Sequence, residues 1–521
     1  MFFLAESLST GTFTFLVLAI TLALLFEIVN GFHDTANAVA TVIYTNTLRP
    51  WVAVIWSGCW NLIGVLCSSG IVAFAILALL PSNLMLHVGS AASFAMVFAI
   101  LISAILWNLG TWYLGLPASS SHTLIGSIIG VGLANSIVSA GHSTVNWSKA
   151  NEILLSLLVS PIIGFICAAG LLIIAKFIIR RRELYQPPPP GQKPPFWIRA
   201  LLISTCTGVS FAHGSNDGQK GMGLILVILI GILPGTYALN MKSDTSAIAH
   251  LRTTALAVRA SEPQLRGDSI GAARERLSDY LQSTHTDRTA ELSAMGTLSG
   301  EIATKLTGVA SFNDLPDDQR QSLRNDIYLM SQSVAQFDRQ AVAPSKLLAT
   351  YHSDLDGATQ YIPTWIKFAV AFSLGCGTMI GWKRIVKTVG EKLGKEHLTY
   401  AQGASAEIVA MATIGLADRF GLPVSTTHVL SSGIAGTMIA NRSGVQMAMV
   451  RNILLAWVLT LPVSVFLGAT LFAAGLFIVF NHLVAIAVGL LIVAVILFGL
   501  WQLHCEIRRR EMHMTAAEPL A

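Results

Sequence analysis

Long stretches without Asp, Glu, Lys or Arg recur along the chain, at positions 7–26, 51–80, 91–113, 153–175 and 452–480. Each meets or exceeds the roughly 20 residues that an α-helix needs to cross a bilayer. The pattern predicts an all-α polytopic membrane protein. No basic segment precedes the first stretch and no small-residue cleavage site follows it, so it reads as a retained helix and not as a signal peptide. A long polar stretch, 240–361, breaks the pattern. There apolar and charged residues alternate at helical spacing, as in 269–281 and 319–330, with a turn signal at Asn313-Asp314-Leu315-Pro316. This segment predicts a small soluble helical insert with an accessory role.

Composition sharpens the picture. Apolar residues make up 53% of the 521 and charged residues 12%, with a mean hydropathy of +0.63, whereas an ordinary soluble domain carries about 25% charged residues. No soluble fold hides that much apolar surface. The net charge of +5 conceals an asymmetry: 241–360 holds 12 Lys/Arg and 15 Asp/Glu, leaving 21 and 13 elsewhere. The basic residues outside the insert cluster at helix ends, as Arg180-Arg181-Arg182 with Lys193 and Arg199, Lys383-Arg384 with Lys387, Lys392 and Lys395, and Arg508-Arg509-Arg510. The positive-inside rule places all three clusters in the cytoplasm and the N-terminus and the insert outside. Counting crossings back from the first cluster requires 116–138 to cross as a helix pair or a broken helix. The run Pro187–Pro190 is then a stiff cytoplasmic connector. The six cysteines are scattered, without a Cys-x-x-Cys pair or zinc-like spacing, and no disulfide, metal or other cofactor role is expected of them.

Two segments recur. Gly31-Phe32-His33-Asp34-Thr35-Ala36-Asn37-Ala38 aligns with Gly214-Ser215-Asn216-Asp217-Gly218-Gln219-Lys220-Gly221 at an offset of 183, and Leu116-Pro117-Ala118-Ser119-Ser120-Ser121-His122 with Leu422-Pro423-Val424-Ser425-Thr426-Thr427-His428 at 306. The difference of 123 nearly matches the polar insert. With about five membrane segments per unit, an odd number, the second copy sits upside down relative to the first, the inverted-topology repeat of secondary transporters, with broken or hairpin helices at the midplane. The expected layout is a first repeat at 1–180, a connector at 181–196, a second repeat split into 197–239 and 362–477, the insert at 240–361, an extra membrane helix at 478–505 and a cytoplasmic tail at 506–521.

Asp34 and Asp217 are carboxylates at membrane depth, which cost several kcal/mol unless paired or set beside a wet cavity. Recurrence at matching places argues for use over simple helix capping. Gly31, Gly214, Gly218 and Gly221 would allow unwound backbone whose carbonyls hold a cation. The hydroxyl triplets Ser119-Ser120-Ser121 and Ser425-Thr426-Thr427 each follow a proline at the start of a small-residue helix. Two such starts meeting from opposite sides would surround a tetrahedral oxyanion with N–H and O–H donors. His122 and His428 could orient a hydroxyl or titrate. Lys220 stands where the first copy has Asn37, and its ammonium offsets Asp217 or a bound anion. A dianion beside two carboxylates is strongly repelled at low dielectric, so cations must enter with it. Glu27 and Glu407 are further intramembrane acids, readable as proton relays or as partnered structural acids.

At these residues, and at Gly377-Thr378-Met379-Ile380-Gly381-Trp382, the sequence resembles the Pit family of inorganic phosphate transporters, its bacterial low-affinity type, over nearly the whole chain. The resemblance implies that Asp34, Asn37, Asn216 and Asp217 serve the coupling cation and that Ser119, Ser120, Ser121, Ser425, Thr426 and Thr427 bind phosphate; Gln219 and Lys220 are expected on the phosphate side and His33 on the cation side. Two departures stand out: His33 replaces the Asn of the family signature, and Gln219-Lys220 replace its Ala-Asn. A titratable ring and a fixed ammonium are poor sodium ligands, so proton coupling is favoured over sodium. The bacterial type further implies entry of phosphate as a complex with a divalent metal. The expected setting is the inner, cytoplasmic membrane, with lipid around the chain, homo-oligomerisation left open and no nucleic-acid partner.

Other classes weigh less. A sulfate symporter could use the same hydroxyl cage. An intramembrane hydrolase with Ser119 or Ser121 as nucleophile and His122 as base conflicts with the duplication of these groups. An ATP-driven pump lacks its Gly-x-x-x-x-Gly-Lys-Ser/Thr loop, and a channel has no need of inverted repeats.

Overall fold

A computed structural model describes residues 9–80, 91–138, 145–189, 191–237, 239–261, 269–282, 287–339 and 345–481. Among these, helices dominate. The first half holds α1 (Thr10–Tyr44), α2 (Pro50–Cys67), α3 (Ile71–Leu77), α4 (Ala91–Tyr113), α5 (Ser120–Val138) and α6 (Trp147–Ile178), and α7 spans Phe196–Ile232. The insert contributes α8 (Thr245–Ser261), α9 (Ile270–Gln282), α10 (Arg288–Lys305), α11 (Asp317–Arg339) and α12 (Lys346–Thr359). The chain continues with α13 (Thr364–Met379), α14 (Lys383–Lys387), α15 (Tyr400–Arg419), α16 (Thr426–Asn441) and α17 (Met447–Phe480). Six helices, α1, α2, α4, α5, α6 and α17, are long and apolar enough to cross a membrane, and α13 with the bent segment after it makes a seventh candidate. The apolar run of α7 is interrupted by Asn216, Asp217, Gln219 and Lys220. The first three residues of the expected helix at 478–505 end α17; its part beyond residue 481 and the tail at 506–521, with Cys505 and the third basic cluster, lie outside the described residues.

Glycines set the helix pairing. A Cβ on Gly214 of α7 would stand 2.1 Å from the Asn61 carbonyl oxygen of α2, and one on Gly64 of α2 would stand 2.2 Å from the Phe211 oxygen of α7. The same interlock joins α1 to α13: Gly31 faces the Leu374 oxygen at 2.4 Å and Gly377 faces the Ile28 oxygen at 2.2 Å. Ile28 and Gly31 are the residues that the offset of 183 pairs with Phe211 and Gly214. Small residues let backbones approach closely where lipid gives helices no hydrophobic reason to associate. Ser57 meets Ser210, and further along His213 meets Asn61, so α2 and α7 run parallel. Gly126 and Gly130 of α5 lie against Leu461 and Val465 of α17 in the same parallel sense.

This packing corrects one expectation. α1 runs unbroken through Asp34 and α7 unbroken through Asp217; the glycines beside them are used for close approach and not for unwinding. The breaks fall one helix later, at Gly70 (φ 93°) between α2 and α3 and at Gly381 (φ 71°) between α13 and α14, where the chain bends by 52°. Positive φ is open to glycine at little cost. Likewise 116–138 is one helix, α5, preceded by non-helical backbone at 116–119, and not a helix pair.

The five insert helices bury a core of their own, drawn entirely from residues between Leu239 and Ala358 and centred on Leu298, Ile327 and Tyr351. Its two chain crossings are tied together by Asn240, whose N–H and side chain donate to the carbonyls of Ala358 and Gly357. Inside it the buried Asp326 accepts from both Arg274 and Lys305. Arg324 and Tyr328 of α11 help line a small cavity against Phe74 of α3 and Ile230 of α7.

Candidate functional site

Four helices converge on one buried cluster. α5 and α16 begin beside each other, and the rings of His122 and His428 lie 4.6 Å apart. Their starts are built alike. Ser119 Oγ accepts from the His122 N–H, and Ser425 Oγ accepts from the His428 N–H, each at 3.2 Å. The first hydroxyl of each triplet therefore caps its own helix. Ser119 Oγ also meets His122 Nδ1 at 2.8 Å. Trp457 of α17 stacks on the His428 ring at 4.0 Å and donates its indole N–H to the Pro117 carbonyl, pinning both starts together.

The remaining hydroxyls face the acids. Ser120 donates to Asp34 Oδ2 at 2.7 Å and Thr427 donates to Asp34 Oδ1, so one carboxylate of α1 gathers hydroxyls from both helix starts. His33 Nδ1 lies 3.0 Å from Asp34 Oδ1, with its Nε2 on Thr111 of α4. Ser121 donates to the Val424 carbonyl and receives a hydrogen bond from Lys220 Nζ. Thr426 Oγ1 and His428 Nε2 are buried without a hydrogen-bond partner among the described residues.

On α7, Lys220 Nζ lies 2.6 Å from Asp217 Oδ1. The neighbouring Asn216 fixes the loop before α16 by donating to the Leu422 carbonyl and accepting from the Val424 N–H. Gln219 turns away from the hydroxyls: its amide donates to Asp418 of α15 and its carbonyl accepts from Val72 of α3. Asn37 shares a helix with Asp34, but its side chain lies outside the described residues. Glu27 is buried, with its carboxylate packed on Gly221 of α7. Glu407 of α15 stands apart from the cluster, hydrogen-bonded by Thr41 of α1 and Thr205 of α7. Glu27 and Glu407 have no duplicate: the offsets of 183 and 306 pair them with Ser210 and Leu101.

The cluster also holds a residue that sequence reasoning missed. His213 Nε2 lies 3.4 Å from Asp217 Oδ2, and ligand atoms of Asp34, His213 and Asp217 all fall within 4.8 Å of one another. One buried imidazole and two buried carboxylates so arranged can hold a proton or a divalent cation. The i,i+4 spacing of His213 and Asp217 on one helix face was a readable signal. Asn61, which links His213 to Thr378, and Asp418 are isolated polar residues in apolar helices; only the helix register brings them here.

Comparison with known proteins agrees in one direction. The profile of the phosphate transporter family matches residues 30–468. The chain is 42% identical over 500 residues to the low-affinity inorganic phosphate transporter PitA of Escherichia coli K12, covering 91% of this chain and 99% of the relative. It is 41% identical to PitB of the same organism, covering 88% and 96%, and 30% identical to a probable low-affinity inorganic phosphate transporter of Bacillus subtilis, covering 87% and 95%. A solved structure titled the sodium-dependent phosphate transporter aligns over 88% of this chain and 98% of its own, with 18% identity and a TM-score of 0.48.

Proposed function

The chain belongs to the phosphate transporter family, and from that premise we propose that it imports inorganic phosphate across the cytoplasmic membrane as a proton-coupled symporter. The observation that carries this reading is the meeting of two hydroxyl-tipped helix starts over the carboxylates of Asp34 and Asp217. Helix N-termini present unpaired N–H groups and a positive dipole end to an anion. Thr426 Oγ1 and His428 Nε2 add polar atoms whose burial without a partner is costly unless a ligand takes them up. Ser120 and Thr427 would be shared between the anion and Asp34 during the cycle, while Ser119 and Ser425 hold the helix starts in place and Ser121 links Lys220 to the Val424 carbonyl. Gln219 then acts as a tether for α3 and α15, and His122 as a support for its own start.

Asp34, Asp217 and His213 form the cation side of this reading, with His33 orienting Asp34 and Asn216 holding the loop before α16. An imidazole nitrogen suits a proton or a divalent metal and is a poor partner for sodium, which supports entry of phosphate together with a proton and as a metal complex, the metal being cargo. The interlock of α1 with α13 and of α7 with α2 supports an inverted repeat. α1 and α2 follow each other through a short turn and so run oppositely, and α7 lies parallel to α2, hence antiparallel to its own counterpart α1. Alternating access by rocking of one unit against the other follows from that geometry. Ser121 directs its hydroxyl proton to a backbone carbonyl and not to an imidazole; Ser119 does meet His122 Nδ1, but its oxygen is held by the His122 N–H as a helix cap.

Uptake of labelled phosphate into proteoliposomes tests this directly. An inward proton gradient with magnesium present should drive uptake, a sodium gradient alone should not, and arsenate should compete where sulfate does not. Competition by sulfate at equal strength would turn the reading toward a general oxyanion symporter. A second expectation concerns the cage. Ser120→Ala with Thr426→Ala should raise the phosphate KM more than the product of the two single effects, each about threefold to tenfold for one lost hydrogen bond. Strictly multiplicative effects would mean that the two helix starts do not share one anion.

A further inference from the structure

Lys220 is the one buried ammonium among the described residues, at 0% exposure. Its three N–H donors are all spent: on Asp217 Oδ1 at 2.6 Å, on Ser121 Oγ at 2.5 Å and on the Val424 carbonyl at 3.3 Å. In this state it has no donor left to offer an anion. The oxygens around it are one carboxylate, one hydroxyl and one backbone carbonyl, drawn from α7, from α5 and from the loop before α16. That is the donor set a small hard cation takes from a protein. The other half differs at the matching place. The counterpart of Lys220 is the neutral Asn37, and Asp34 is met by Ser120, Thr427 and His33, with no Lys or Arg bonded to it among the described residues.

We propose that the Lys220 ammonium is a tethered counter-cation, permanently filling beside Asp217 the position that a free coupling cation would otherwise occupy. The inference rests on the phosphate symport reading and adds to it a specificity-determining residue for the coupling ion. A positive charge supplied by the chain does not have to be carried in with each substrate. The protein therefore moves one fewer cation per phosphate than a carrier with two open acidic sites. Rejection of alkali cations at this position is steric and electrostatic: a sodium ion would have to displace an ammonium that is covalently held and fully bonded.

The test is Lys220→Asn in proteoliposomes, which leaves Asp217 without its counter-charge and supplies an amide oxygen in exchange. With no alkali cation, uptake should fall at least about a hundredfold, because an unpaired buried carboxylate disables the site. An inward sodium or lithium gradient should bring it back to within about tenfold of the unmodified protein. The charge moved per phosphate, read from the reversal potential, should rise by one elementary charge. Lys220→Gln carries the same test if the first variant does not reach the membrane. Inserted variants that alkali cations do not stimulate, or that transport normally without them, overturn the proposal. So does stimulation of the unmodified protein by sodium, a measurement that needs no variant. Failure of the unmodified protein to carry phosphate at all would instead strike the transport reading on which this one rests.

Discussion

Phosphate uptake by Asp217→Asn will fall below about a hundredth of the unmodified rate while the protein stays in the membrane in normal amount, because removing one partner of a buried ion pair costs about 3–5 kcal/mol. The pairing geometry fixes the sign. Lys220 Nζ sits 2.6 Å from the Asp217 carboxylate, and both side chains are fully buried. An amide at 217 keeps the shape and one acceptor oxygen but leaves the ammonium without a counter-charge at membrane depth. It also takes one carboxylate from the trio with Asp34 and His213. The lost pair weakens empty and loaded states alike, whereas the lost carboxylate of the trio acts on the loaded state, so turnover suffers more than folding. Uptake rates normalised to membrane abundance measure it, and uptake near the unmodified rate would remove Asp217 from the mechanism.

A large effect on stability should come from Gly214→Ala. A methyl there would stand 2.1 Å from the Asn61 carbonyl oxygen and 2.7 Å from its Cα. Alanine in a helix gains about 1 kcal/mol over glycine from propensity, and overpacking costs about 1–3 kcal/mol or more. Here the neighbour is backbone on both sides, so it cannot step aside as a flexible side chain would. The clash wins, and α2 must retreat from α7. That retreat also loosens the Asn61 hydrogen bond to His213, so activity falls with stability. Thermal unfolding of the detergent-solubilised protein should shift down by several degrees or more. Gly110→Ala and Gly415→Ala, where nothing lies within 4 Å of the added methyl, should leave it unchanged or slightly higher.

Much of this is legible in the sequence. Uncharged runs of membrane-crossing length point to the all-helical class, and the short motifs behind the family resemblance all fall within the residues that the family profile matches. The hydroxyl heptads could be read because proline followed by Ser or Thr has one local meaning, a capped helix start, and Ser119 and Ser425 have that local role. The acidic segments misled on one point. Glycine beside a buried Asp suggests unwound backbone, yet the same residue is what a close helix crossing requires, and only the facing carbonyls of Leu374 and Asn61 distinguish the two uses. Its place in the motif puts Gln219 beside the hydroxyls, yet its amide faces Asp418, because a helix turns successive side chains about 100° apart. Asn61 and Trp457 carry no motif at all, and their positions depend on which helices pack together.

Glu27, Glu407 and Lys220 each stand in one half without an equivalent in the other. A carrier whose halves were electrically interchangeable would rest equally between facing out and facing in, since the two poses would be copies of one another. Unequal charge content removes that balance: a bias of about 1.4 kcal/mol already leaves ten empty carriers waiting on one side for each one on the other. On the symport reading proposed above, that inequality would give the empty carrier a resting direction before any gradient acts across the lipid.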